Sequence, residues 1–134
     1  MVNNNLRSVF EQFKLFNSNE FEKIKMKGKD KKIALIVAHP DDEVLWAGGT
    51  LLLYPEWHCF IVALCRGNDP DRAPKYFEAL KLLNAEGKIA DMDDGPEQIP
   101  LNMDEVKQNI LDMIGQQSFD IVITHGQKGE YSRH

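Results

Sequence analysis

Four short strand-like segments, at residues 33–38, 59–64, 88–91 and 119–124, alternate with stretches of helical periodicity. This alternation restricts the fold more than any other feature of the chain. The first run, IALIVA, is continuous, the pattern of a strand covered on both faces. Residues 43–54 read as a helix ended by Pro55. Pro74 opens a second helix, with Tyr76, Leu80 and Leu83 on one face and Gly87 as its stop. Asn102 and Glu105 have the spacing of a capping box, ahead of a stripe of Val106, Ile110, Met113 and Ile114. Strands joined by crossover helices imply α/β architecture: a Rossmann-like parallel sheet with helices on both faces. Strand order 3-2-1-4, with right-handed connections, sets the first and fourth strands side by side.

Ligands of such sheets bind beyond the carboxyl ends of the strands, where the strand order reverses. His39, Pro40 and Asp41 follow the first strand, Arg66 the second, Asp93 and Asp94 the third, and His125 the fourth. His58 precedes the second strand and falls at the opposite end. His39 and Asp42 form H-x-x-D on a strand-to-helix turn, where a ring nitrogen and a carboxylate oxygen can converge on one metal ion. Asp41, between them, projects differently and is placed to accept a proton from water. The competing reading makes both carboxylates a helix cap and nothing more.

Residues 1–31 are expected to form an N-terminal arm that docks on the domain through Val9, Phe10, Phe13 and Phe16. Net charge of −5 argues against a nucleic-acid partner. Cys59 and Cys65 sit on one strand, roughly 20 Å apart at about 3.3 Å per residue, too far to form a disulfide. Two buried free thiols point to a reducing compartment, hence to a cytoplasmic location. With no apolar h-region and no long apolar run, neither a signal peptide nor a membrane span is expected.

The string AHPDDE followed by GGT, and the later THGQKGEYSRH, resemble the two linked motifs of the LmbE/PIG-L family. That family comprises zinc-dependent deacetylases of N-acetylglucosamine-type substrates, and the resemblance runs over residues 32–134. It implies zinc, or another divalent metal, held by His39 and Asp42, with Asp41 as general base and Glu43 as a supporting acid. It places Tyr131 beside the reacting carbonyl and Arg66 against substrate. Gly48 and Gly49 match small positions where the helix presses on the sheet. In the family the second motif ends in H-x-x-H. His134 aligns best with the first of those histidines, which stabilises the oxyanion, so the third metal ligand would follow the end of this chain. A one-residue difference in spacing leaves open that His134 is itself that ligand. On this reading the domain is truncated after its fourth strand.

Arg66, Arg72, Asp93 and Asp94 are candidates for gripping hydroxyl or anionic groups of a small-molecule substrate, an N-acetylated sugar derivative. The expected reaction is hydrolytic removal of an acetyl group from an N-acetylated amino sugar or related amide. A metal- or sugar-binding module without activity is the alternative, favoured by the missing third ligand. Magnesium-dependent phosphoryl transfer also uses paired acids after a first strand, but it leaves His39 and the second motif without a role.

Overall fold

The computed structural model describes residues 30–126. Nearly all of the expected N-terminal arm, and both Tyr131 and His134, lie outside the described residues. In chain order the elements are β1 (Lys32–Val37), a π-helical turn (Glu43–Gly48) running into α1 (Gly49–Leu53), and β2 (His58–Cys65). There follow α2 (Arg72–Leu82), β3 (Glu86–Met92), α3 (Met103–Ile114) and β4 (Ile121–Thr124). All pairings are parallel and the order is β3-β2-β1-β4, the order expected from the sequence.

Alternation along β1 divides its apolar side chains between two layers. Ile33, Leu35 and Val37 meet Ala47, Leu51, Tyr76 and Leu80, so α1 and α2 cover one face. Ile36 points the other way and joins Phe60, Val62, Met113 and Ile114 beneath α3. Burying each of these large side chains contributes about 1.5–3 kcal/mol. The connection from β3 through α3 carries the chain past β2 and β1, so the reversal of strand order lies between β1 and β4. Asn102 Oδ1 accepts the N–H groups of Asp104 (2.9 Å) and Glu105 (3.3 Å), confirming the start of α3.

Three local expectations are corrected. The helix after β1 begins as a π-helical turn that buries Glu43, Ala47 and Gly48 while leaving Val44, Leu45 and Trp46 exposed. Its glycines do not press on the sheet: a Cβ at Gly48 would make ordinary contact with Val44 at 3.6 Å, and one at Gly49 would meet open space. Gly87 does not stop α2. Asn84, at φ 51, ends that helix in a left-handed residue, with Asn84 N–H donating to Lys81 O (3.2 Å) and Ala85 N–H to Leu80 O (2.9 Å). Gly87 lies inside β3 opposite Ile61, where a Cβ would collide with the Ile61 carbonyl oxygen.

Candidate functional site

The end of β1 is tied to β2 by Ala38 O, which accepts the N–H groups of Leu64 (3.2 Å) and Cys65 (3.0 Å). The chain then reverses through Asp41 at φ 111, a conformation that costs a non-glycine residue about 1–3 kcal/mol. Two carboxylates hold this turn. Asp42 Oδ2 accepts the His39 N–H and Glu43 Oε2 accepts the Asp41 N–H, each at 3.0 Å. Glu43 is 1% exposed, and burial pushes its carboxyl pKa up against the lowering effect of backbone N–H groups. Its position makes it a support for the turn.

Asp42 is the buried hub. Its Oδ2 lies 3.6 Å from His39 Nδ1 and 3.3 Å from His125 Nε2, with the side chain 4% exposed. Two donors bound tetrahedrally at about 2.0–2.1 Å from one ion stand roughly 3.3 Å apart, so the His39–Asp42 spacing fits a shared divalent metal. His125 Nε2 also accepts the Ala38 N–H at 2.9 Å. The sequence put His125 at a strand end without giving it a role; adjacency of β4 to β1 makes it a neighbour of Asp42.

The other edge of His39 faces β3. Its Nε2 stands 3.3 Å from Asp94 Oδ2, and Arg66 Nε donates to the same oxygen at 2.6 Å. Arg66 Nη1 is also 3.9 Å from Asp69 Oδ2. Cys65, the last residue of β2, brings its sulfur into one group with His39 and Asp94, the three donor atoms lying within 4.8 Å of one another. Sequence reasoning missed Cys65 because it reads as a core residue. Burial, and then the Asp94 charge, push its thiol pKa up to about 11. Arg66, Asp69, Asp91, Met92, Asp93 and Asp94 line an open depression of about 450 Å³ next to this edge.

Of the residues picked from sequence, His39, Asp42, Asp94 and Arg66 thus form one connected cluster. Asp93 stands on the wall of the depression, where its Oδ1 accepts the Gly95 N–H at 3.0 Å. Asp41, 56% exposed, pairs with Arg72 at 3.0 Å, and Arg72 also reaches Pro40 O at 3.3 Å. Arg72 is therefore directed onto the turn that carries Asp41.

A parallel sheet that gathers histidines and carboxylates at the reversal of its strand order defines an α/β protein with a candidate polar site beyond the strand ends. The family model PIG-L, GlcNAc-PI de-N-acetylase, matches residues 34–134, and the chain belongs to this family. An uncharacterized protein of Acanthamoeba polyphaga mimivirus is 22% identical over an alignment of 113 positions that covers 72% of this chain and 49% of that protein. The crystal structure of a 4-carboxy-2-hydroxymuconate hydratase from Pseudomonas putida is similar with a TM-score of 0.61 and 21% identity. That similarity covers 76% of this chain and 50% of the hydratase chain, so the chain spans about half the length of both relatives.

Proposed function

We propose that the protein is a metal-dependent hydrolase that removes an acetyl group from an N-acetylated amino sugar or related amide. The observation that carries this reading is the approach of His39 Nδ1 to the buried Asp42 carboxylate at 3.6 Å, in a chain of the PIG-L family. His39 and Asp42 would hold zinc, whose preference for mixed nitrogen and oxygen donors they meet. A bound divalent ion supplies Lewis acidity, lowering the pKa of water toward about 7 and polarising an amide carbonyl. Asp41 is the general base: it is open to solvent, next to Asp42, and oriented by the Arg72 guanidinium. Tyr131 and His134 are assigned by family resemblance to the reacting carbonyl and its developing negative charge. Arg66 and Asp93 offer a cation and a carboxylate to substrate hydroxyl or anionic groups in the depression.

Cys59 and Cys65 are free and buried, which supports a reducing, cytoplasmic setting. Among the described residues no helix is long and apolar enough to cross a membrane. The deciding experiment incubates the full-length protein, with zinc and with a chelator, with an N-acetylated glucosamine derivative. Acetate and free amine should appear in equal amounts, and only with metal present. Zinc and sugar binding without acetate release would favour the inactive binding module.

A further inference from the structure

We propose that Asp94 is a positioning residue for the metal site: fixed by Arg66, it holds His39 by Nε2 so that Nδ1 is presented on the Asp42 side. The inference rests on the metal reading above and assigns to that site a residue chosen from sequence for gripping substrate. A neutral imidazole carries one N–H and one lone pair, and the partner of one nitrogen decides the task of the other. Here the two edges face different carboxylates. Asp94 Oδ2 lies 3.3 Å from Nε2, and Asp42 Oδ2 lies 3.6 Å from Nδ1.

Asp42 Oδ2 already accepts the His39 backbone N–H and stands beside His125 Nε2. A carboxylate accepts and does not donate, so a ring proton on Nε2 satisfies Asp94 and leaves the Nδ1 lone pair toward Asp42. Either tautomer turns one lone pair to a carboxylate. A proton on Nε2 leaves it in the 3.6 Å gap to Asp42 that the proposed metal would bridge. The opposite tautomer leaves it against Asp94 at 3.3 Å, where the Arg66 guanidinium already sits. The Asp94 carboxylate is held in place by the Arg66 bond of 2.6 Å. This order of carboxylate, imidazole and metal recurs in metal sites, where it fixes both tautomer and ring orientation. The rival arrangement puts an ion on Nε2 with Asp94 and Cys65, whose donor atoms lie within 4.8 Å of one another. The Arg66 guanidinium on Asp94 opposes a second cation there.

The test uses the full-length protein with zinc alone as the probe. Affinity is measured by chelator competition for the wild type, Asp94→Asn, Asp94→Ala, Cys65→Ala and Asp93→Asn. The His39 ring of the zinc-loaded protein is read by long-range ¹H–¹⁵N NMR. Both Asp94 variants should bind zinc about 10–100-fold more weakly. Asp93→Asn, which removes a neighbouring charge, and Cys65→Ala should leave affinity within about twofold, the uncertainty usual for such contributions. The NMR pattern should show a protonated Nε2 and a metal-bound Nδ1. Wild-type affinity in Asp94→Asn and Asp94→Ala overturns the proposal, as does a metal-bound Nε2 with zinc lost in Cys65→Ala. Controls His39→Ala and Asp42→Ala locate a failure. If they lose zinc while the Asp94 variants keep it, only the Asp94 role falls; if they also keep it, the metal site falls with it.

Discussion

Replacing Asp41 by glycine and by alanine separates the strain of its turn from the chemistry of its carboxylate. Both variants lose the carboxylate and the exposed ion pair with Arg72, itself a contribution of about 0.2–1 kcal/mol. They differ only in the Cβ. At φ 111 the Cβ is the source of strain, about 1–3 kcal/mol, which alanine keeps and glycine releases. At an ordinary position the extra freedom of unfolded glycine makes alanine the more stable by about 0.4–1 kcal/mol. Subtracting the two leaves the glycine variant more stable than the alanine variant by about 0.5–2 kcal/mol, an inversion of the usual order. In thermal unfolding of a chain this size the gap corresponds to roughly 2–10 °C. If Asp41 is the general base, as proposed, acetate release should fall by about 10²–10⁴ in both variants. An alanine variant more stable than the glycine variant by about 0.4–1 kcal/mol, the ordinary order, would show that the turn stores no strain.

Two further perturbations test the packing that supports the site. Gly87→Ala should destabilise by about 2–4 kcal/mol, from overpacking and displacement of the Tyr76 hydroxyl, which bonds Ile61 O at 2.9 Å. Adding Tyr76→Phe should recover part of that loss in urea titrations, because a Cβ at Gly87 would lie 2.8 Å from the Tyr76 hydroxyl; strictly additive costs would contradict a clash with that hydroxyl. The second concerns pH. Burial raises the Cys59 thiol from 9.0 to about 12, so above the unfolded value the unfolded chain releases its proton first. The Cys59 contribution is therefore complete below pH 9.0 and lost as pH rises toward about 12. Cys59→Ala should flatten the alkaline fall in urea stability, and an unchanged slope would count against this cause.

The strand order was readable because four strand-like segments and their intervening helices leave few ways to wind a parallel sheet. The same logic placed His39, Arg66, Asp94 and His125 at one end of it. What each touches was not readable. The pairing of His39 with Asp94 needs β3 and β1 to be set on either side of β2, and the Arg72–Asp41 pair depends on how α2 begins. Gly87 shows a different limit. A glycine shortly after a helical stripe carries the signature of a stop, yet Asn84 adopts the left-handed conformation first and leaves Gly87 to the close contact with Ile61. The π-helical start at Glu43 left no mark in the spacing of apolar residues, because Val44, Leu45 and Trp46 face outward there.

The central claim is that two adjacent carboxylates at one turn do different work, Asp42 as metal ligand and Asp41 as base. Asp41 is exposed and paired with Arg72, whereas Asp42 is buried beside His39 and His125. The direct measurement is zinc content, by elemental analysis, alongside acetate release in Asp41→Asn and Asp42→Asn of the full-length protein. Asp41→Asn should keep its zinc and lose kcat by about 10²–10⁴. Asp42→Asn should lose zinc and activity together, with partial rescue by excess metal. Zinc lost from Asp41→Asn and kept by Asp42→Asn would reverse the assignment, and full activity in both would reduce the pair to a helix cap.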